Sequence, residues 1–274
     1  MNIARLDGVE IEYEVHGDGE PVLLIHPGIF ADWFLPLMRQ PALSSYRFVH
    51  YHRAGCRDSG SIKGEVTLAQ HAVHAHLLLQ HLGVARAHVV GHSSSGNIAL
   101  QLALDGHDAV HSLTILEPAL MTVPSAPTSR EFVGKALAQY HGGDHAAAIE
   151  TFLSGTCGPE YRAVLDRALP ASFDRAVADA PTFFEQELPA LQNWSFGRDE
   201  ATFIMQPALS VVGARSLELD PIWRERHELL LEWLPNIKPM IVPNTSHLMQ
   251  VESPAAVAEC MAKFFMRHRL AVAV

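Results

Sequence analysis

Short apolar runs alternate with helical segments along most of this chain, and this alternation constrains the fold more than any other feature. Helical periodicity occupies 67–82, with Thr67 as its N-cap and Gly83 as its stop, and returns at 97–104. Seven runs have the length and residue content of strands: 9–15, 22–25, 47–52, 87–90, 112–116, 208–212 and 237–242. Strands separated by helices predict an α/β protein whose mostly parallel sheet is covered by helices.

The pattern changes between residues 124 and 200. This segment contains Ala-rich helical stretches punctuated by GGD, GTCGP, LPAS and APT, without a strand candidate, and the strand pattern resumes at ALSVVG. We therefore predict a core formed by 1–123 and 201–274, and a helical lid formed by 124–200. Ligands of open α/β sheets bind at the carboxyl edge of the strands. We expect the lid to cover that edge.

Charge and cysteine content exclude several classes of partner. The formal net charge of −10 argues against nucleic acids and anionic membranes, which need a basic surface. Cys56, Cys157 and Cys260 lack CxxC spacing, so neither a disulfide framework nor a zinc site is predicted. The N-terminal residues lack the apolar segment of a signal peptide. We expect a cytoplasmic protein with a small apolar ligand and no membrane partner, and a homodimer is left open.

The stretch VVGHSSSG, residues 89–96, can be interpreted as a strand-to-helix turn that exposes a nucleophilic serine. Such a turn needs small residues two positions before and two after the nucleophile. Ser93 has Gly91 before it and Ser95 after it, whereas Ser94 would put the bulky His92 in a tight position. We therefore predict Ser93 as the nucleophile, with a run of N-capping serines as the alternative.

A serine nucleophile needs a base and an oxyanion site. His247 follows the last predicted strand in a turn-rich loop, where the base of such an enzyme belongs. The backbone N–H groups of Ser94 and Gly28 are the predicted oxyanion donors, with Ile29 as the alternative to Gly28.

The motifs together resemble the α/β-hydrolase superfamily over nearly the whole chain. They are HPG at 26–28, YHRAGCRDSG at 51–60, GHSSSG at 91–96, LEPA at 116–119 and PNTSHLMQVESP at 243–254. The resemblance implies the α/β-hydrolase fold and a serine hydrolase of the esterase and lactonase branch that works without a cofactor.

The acid of the triad departs from the usual family pattern. The family places it after the strand that follows the lid, where this chain has Ser216. Glu117, Asp220 and Glu218 are the available replacements. Some branches, including lactonases similar to the zearalenone-opening enzyme, place the acid after the strand that precedes the lid, which favours Glu117. An acid directly after a buried strand also needs a partner.

Large apolar residues of the loop and lid are candidates for substrate contact. We predict that role for Ile29, Tyr140, Phe183 and Trp194, with ordinary packing as the alternative for each. Five histidines crowd one region without an HExxH motif, so no metal site is predicted. They are His71, His74, His76, His81 and His88.

The sequence thus predicts a serine hydrolase that cleaves a carboxylic ester or lactone through an acyl-enzyme intermediate. A serine rather than an aspartate at residue 93 disfavours dehalogenase and epoxide hydrolase activity. Two alternatives stay open. One is a carbon–carbon bond hydrolase of the same fold, and the other is a small-molecule binding protein or receptor with little turnover.

Overall fold

The computed structural model describes residues 1–105 and 108–270, so residues 106–107 and 271–274 of the predicted core lie outside it. The described residues form one eight-stranded sheet in the order β1-β2-β4-β3-β5-β6-β7-β8. The strands are β1 Asn2–Leu6, β2 Val9–His16, β3 Glu20–Ile25, β4 Tyr46–Tyr51, β5 Ala87–His92, β6 Val110–Leu116, β7 Ala208–Gly213 and β8 Ile237–Val242.

Strand direction brings several loops to one edge of the sheet. β2 is antiparallel to both of its neighbours, β1 and β4, and the pairs from β4 to β8 are parallel. The carboxyl ends of β3, β5, β6, β7 and β8 therefore meet at the same edge. The HPG loop, the serine run, Glu117 and the loop of His247 each follow one of these strands.

The helices cover the two faces of the sheet and its carboxyl edge. Their bounds are α1 Leu35–Met38, α2 Leu68–His81, α3 Ser94–Leu104, α4 Ala126–His141, α5 His145–Cys157, α6 Tyr161–Ala168, α7 Ser172–Ala178, α8 Ala180–Thr182, α9 Leu188–Asn193, α10 Arg198–Ala201, α11 Ala214–Leu219, α12 Pro221–Trp233, α13 Met249–Glu252 and α14 Pro254–Arg267. A 3₁₀ turn at Pro41–Leu43 follows α1. None of these helices, over the residues described, is long and apolar enough to cross a membrane.

Side chains of the buried strands alternate between two hydrophobic cores. On β3, Val22 and Leu24 join a core that also contains α14 and much of residues 124–200, the predicted lid, for which the name lid is kept as a label of this segment. Leu23 and Ile25 join the opposite core, which contains buried residues of α2, α3 and α12. The predicted architecture, a mostly parallel sheet with helices on both faces, is confirmed.

The helices from α4 to α10 lie between β6 and β7, where the sequence predicts the lid. Between α8 and α9 the chain makes a π-helical turn over Phe183–Glu187. There the N–H of Leu188 donates to the carbonyl of Phe183, five residues earlier. π-helical turns are rare in proteins, and many of those that occur lie at functional sites.

Most element bounds differ from the sequence predictions by one or two residues, and two of the differences lie at the serine run. β5 runs to His92 rather than ending at Val90, and α3 starts at Ser94 rather than at Asn97. β5 is longer because Gly91 and His92 pair with Ile115 and Leu116 of β6 and are buried despite their low apolar content. β1 was not predicted, because it contributes only Ala4 and Leu6 to the core.

Candidate active site

Ser93 occupies a sharp turn directly between β5 and α3. Its backbone has φ +55° and ψ −128°, a conformation that an L-residue rarely adopts. Its N–H donates to the carbonyl of Leu116 at 3.0 Å, and its carbonyl accepts from Gly96 at 2.9 Å. A Cβ on Gly91 would lie 2.3 Å from the carbonyl oxygen of Ser95, so only glycine fits there. The strain at Ser93 is thus held by its surroundings.

Ser95 stands where many such turns have a second glycine. Its side chain is fully buried. Its single hydroxyl proton can be donated to the carbonyl of Ile25 or to that of His92, which are both within hydrogen-bond distance, and its oxygen accepts from the N–H of His92. A buried hydroxyl is tolerated because these bonds satisfy it. The serine therefore also ties the turn to the end of β3.

His247 and Glu117 form a buried pair, and His247 lines the same cavity as Ser93. The Nδ1 of His247 lies 2.6 Å from a carboxylate oxygen of Glu117, and both residues are nearly inaccessible to solvent. Burial lowers the pKa of His247 to about 3, so the imidazole is neutral at neutral pH. Because Nδ1–H then donates to the carboxylate, Nε2 carries the lone pair.

The position of Glu117 is fixed by β6 and β7. Its backbone, with φ +42°, turns directly after β6, and its N–H donates to the carbonyl of Val211. Its second carboxylate oxygen accepts from the N–H of Gly213 at 2.8 Å. Burial raises the pKa of Glu117 to about 7, against the opposing effect of that hydrogen bond.

The other two candidate acids have different surroundings. Asp220 accepts a hydrogen bond from the N–H of Ile222 and so caps α12. Glu218 is exposed on α11. Of the three candidates, Glu117 is the one bonded to His247.

Ser94 and Gly28, whose backbone N–H groups are the predicted oxyanion donors, line the same cavity as Ser93. Ser94 is the first residue of α3, where the helix leaves N–H groups without intrahelical partners and its dipole favours an anion. Gly28, in the HPG loop, borders the same space as Ser93. A Cβ on Gly28 would lie 2.8 Å from the ring of Phe183 and 3.1 Å from the carboxylate of Glu187, so the lid packs directly on this glycine.

Ser93 and His247 line a mostly apolar cavity of about 100 Å³ between the sheet edge and the lid. No hydrogen bond joins the two side chains in the described part of the chain. Such bonds are often long without substrate and tighten when it binds. Gly28, Ser94, Ile29 and Phe183 line the same cavity, so the predicted groups converge on it.

Two of the predicted substrate-contacting residues, Tyr140 and Trp194, do not line this cavity. Tyr140 donates to Glu185 and stacks on Phe184, so it packs within the lid. Trp194 donates to Gln101 of α3 at 2.7 Å and stacks on Phe196, on the opposite side of the sheet. Aromatic character alone does not determine which face of a helix meets the cavity.

The imidazole of His247 is held between two rings that the sequence analysis did not assign. Trp223 stacks on one face with ring centroids 4.3 Å apart. His92 lies against the ring at 4.4 Å, and its Nε2–H donates to the backbone carbonyl of His247. Trp33 in turn stacks on His92. Trp223 and Arg226 both line the cavity. Their spacing of three residues, about one helical turn, was the sequence signal that they lie on the same face of α12.

A second buried ion pair connects the lid with the core. Arg53, at the end of β4, reaches Glu187 of the π-helical turn with an N–O distance of 2.7 Å. The Nε–H of Arg53 also donates to the carbonyl of His26, at the start of the HPG loop. These contacts fix the loop of Gly28 and the lid relative to each other. The partners are separated by 134 positions in the sequence, so there is no local sequence signal for this pair.

The five histidines near α2 do not gather into a metal site. Over residues 1–105 and 108–270, no group of three or more His, Cys, Asp or Glu side chains is arranged to hold a metal ion. His71 and His74 are buried. Burial lowers the pKa of both, so they pack as neutral rings.

Comparisons with known proteins place the chain in a family. The family model for the α/β hydrolase fold matches residues 21–254. A putative carbamate hydrolase, RutD, of Caulobacter vibrioides is 35% identical over 122 residues, which is 42% of this chain and 44% of that protein. An acetyltransferase component of the acetoin cleaving system of Cupriavidus necator is 35% identical over 42% of this chain and 31% of its own length. The chain thus spans less than half of these curated relatives.

Solved structures share the fold at lower identity. The enol-lactonase of Burkholderia xenovorans LB400 superposes with a TM-score of 0.81 at 21% identity, over 97% of this chain and all of that one. A thermophilic esterase of Thermogutta terrifontis also gives 0.81, at 19% identity over 98% of this chain and all of its own. The family match, which covers most of the chain, and this shared fold lead to one conclusion: the chain belongs to the α/β-hydrolase fold family.

Proposed function

We propose that this chain is a serine hydrolase that cleaves a carboxylic ester or lactone through an acyl-enzyme intermediate. The observation that carries the proposal is the placement of Ser93 at a strained turn on the same cavity as the His247–Glu117 pair. A serine hydroxyl becomes a useful nucleophile when a positioned base accepts its proton. A neutral imidazole oriented by a buried carboxylate is such a base.

In the first half of the reaction, Ser93 Oγ attacks the substrate carbonyl carbon while Nε2 of His247 accepts the hydroxyl proton. The negative charge that develops on the carbonyl oxygen is stabilised by the N–H groups of Gly28 and Ser94. The carboxylate of Glu117 stabilises the imidazolium through Nδ1–H. When the C–O bond breaks, the imidazolium gives its proton to the leaving alkoxide.

In the second half, water replaces the alcohol. His247 accepts a proton from this water, whose oxygen attacks the acyl carbon. The second tetrahedral intermediate collapses, Ser93 Oγ leaves and regains a proton from the imidazolium, and the carboxylic acid is released. With a lactone, the alcohol and the acid are parts of the same product.

The comparisons support this class of substrate. An esterase and an enol-lactonase share the fold over nearly the whole chain, and another neighbour is described as degrading N-acyl homoserine lactones. We also propose that the chain belongs to the esterase and lactonase branch that its sequence resembles, in which the acid of the triad follows β6. Glu117 lies at that position.

A fluorophosphonate probe and p-nitrophenyl butyrate together test the proposal. We expect the wild-type protein to be labelled at residue 93 and to hydrolyse the ester, and Ser93→Ala to lose both properties. Ser94→Ala is the matched control, because the proposed role of Ser94 uses its backbone N–H and needs no hydroxyl. Absence of labelling and of turnover in the wild type would refute the hydrolase and favour the small-molecule binding protein.

A further inference from the structure

Arg226 is a buried cation in the wall of the active-site cavity. It lies on α12 one helical turn after Trp223, and only 6% of its surface is exposed. Burial lowers the pKa of its guanidinium to about 10, which leaves the group charged at neutral pH. A charge removed from water is unfavourable unless it is paired. The partner that balances the charge of Arg226 must therefore be identified among the groups around the cavity.

The hydrogen-bond partners of the guanidinium are neutral. Its Nε–H donates to the backbone carbonyl of Leu120 at 2.8 Å, and one terminal nitrogen lies 3.6 Å from the sulfur of Met121. The other terminal nitrogen makes no hydrogen bond with any described residue. Two neutral contacts orient the side chain without neutralising it.

Nearby carboxylates do not pair with this guanidinium, although their charges act on it. Glu117 is bonded to the imidazole of His247. Asp220 caps the N-terminus of α12, and Glu225 accepts two hydrogen bonds from Ser125. Within the described residues, no Asp or Glu oxygen forms an ion pair with the guanidinium. The terminal nitrogen without a hydrogen bond is therefore available to a molecule in the cavity, and the other terminal nitrogen has only the weak sulfur acceptor of Met121.

We propose that Arg226 binds a carboxylate of the substrate, so that the substrate is an ester or lactone carrying a second, ionised carboxyl group. The inference rests on the proposed function and names the substrate class of the same site. A guanidinium presents its N–H groups in a plane that matches a carboxylate. The mostly apolar wall around it would hold the rest of the molecule. The apolar ligand expected from the sequence then acquires one charged end.

Matched pairs of esters test this assignment. On the acyl side, mono-p-nitrophenyl succinate differs from p-nitrophenyl butyrate by a carboxylate in place of the terminal methyl group. On the alcohol side, 3-carboxyphenyl butyrate is compared with phenyl butyrate. In the wild type, we expect kcat/KM for the anionic member of at least one pair to exceed that of the neutral member by about 10- to 100-fold.

Substitution of the arginine should remove that preference. We expect Arg226→Gln to lower the anionic-to-neutral ratio by about 10- to 100-fold and Arg226→Lys to lower it less. The ratio cancels any effect of the variants on the chemical step. Arg224→Gln, which removes an exposed cation from the same helix, should leave the ratio unchanged. A ratio that stays the same in both Arg226 variants, or a wild type that prefers neither anion, would overturn the proposal.

Binding separates this proposal from the hydrolase activity. In Ser93→Ala, calorimetry should show monomethyl succinate binding about tenfold or more tightly than methyl butyrate, and Arg226→Lys should weaken that preference. Preserved anion binding without Ser93-dependent hydrolysis would refute the hydrolase and support the anion site. Hydrolysis of neutral esters, with no preference for anions in kinetics or in binding, would support the hydrolase and refute the anion site.

Discussion

Glu117 and Glu187 are both buried carboxylates at the carboxyl edge of the sheet, but their partners differ. Glu117 lies 2.6 Å from His247, and Glu187 lies 2.7 Å from Arg53. Burial raises the pKa of both carboxyl groups. Arginine keeps its charge at any physiological pH, whereas histidine can accept and release a proton.

This difference suggests two separate tasks. The pair of Glu187 and Arg53 is permanent, and it connects the lid to the loop that carries Gly28. The pair of Glu117 and His247 can change its protonation during a reaction cycle, and its free nitrogen belongs to a ring that lines the cavity. Burial alone therefore does not identify a catalytic acid. The chemistry of the residue paired with the buried carboxylate distinguishes a catalytic acid from a structural one.

The largest effect is expected from removing the charge of Glu117. Glu117→Gln preserves the size of the side chain but leaves the imidazole without support for its charged form or its tautomer. We expect kcat for p-nitrophenyl butyrate to fall by about 10³- to 10⁴-fold. Asp220→Asn, which retains the helix cap, should lower kcat by less than about tenfold. A reversed order of these two variants would assign the acid to Asp220.

Breaking the pair of Arg53 and Glu187 should lower the stability of the fold rather than impair the chemical step directly. Arg53→Met leaves Glu187 buried without its counter-ion, which should lower the free energy of unfolding by about 3–5 kcal/mol. Urea unfolding measures this value. The double variant Arg53→Met with Glu187→Leu should be more stable than the single one, since no unpaired charge remains. Equal stability of the two variants would show that the ion pair does not connect lid and core energetically.

The pH dependence of the reaction should follow the catalytic pair. The active form has an ionised Glu117 and a neutral His247, and burial raises the pKa of Glu117 to about 7 and lowers that of His247 to about 3. The value of kcat/KM should therefore rise with pH, by about 100-fold between pH 5 and a plateau near pH 8.

The two pairs should differ in this profile. Glu187→Gln should leave the midpoint of the pH profile in place, because its carboxyl group does not contact the imidazole. Measurement of kcat/KM from pH 5 to pH 8 for the wild type and for Glu187→Gln tests this expectation. A midpoint below about pH 5 in the wild type would show that Glu117 ionises as an ordinary carboxylic acid.

A smaller effect is expected from Trp223. Its indole covers one face of His247, where it can stabilise the imidazolium that forms during proton transfer. We expect Trp223→Leu to lower kcat by about 3- to 30-fold, and Trp223→Phe to lower it less. Trp194→Phe is the control, because Trp194 packs outside the cavity. An equal loss in the Phe and Leu variants would argue against a role for the aromatic face.

The sequence predicted those parts of the fold that have a local signal. Buried apolar strands such as β3 and β7 are visible as continuous apolar runs, and the small residues around Ser93 identify a tight turn. The chain order of such sites then points to His247. The choice of Glu117 needed a resemblance, because a carboxylate after a strand can also serve as a helix cap or a lid anchor.

Features that depend on contacts between distant segments were not predictable in the same way. Arg53 and Glu187 meet only because the lid folds back over the sheet, and the orientation of Tyr140 and Trp194 depends on lid packing. Arg226 looks like an ordinary helix residue in the sequence. Its importance comes from burial beside a cavity that only the folded chain creates.

The π-helical turn makes the length of the lid as critical as its composition. Phe183 and Glu187, at the two ends of that turn, both lie against Gly28, the first with its ring and the second with its carboxylate. Each α-helical residue advances the chain by about 100° around the axis. Deleting a single residue from an otherwise unchanged helix here would rotate the preceding segment by about that angle relative to the following one, although all the other side chains are still present. Engineers who recombine lids among related enzymes should therefore count residues across this turn before they compare side chains.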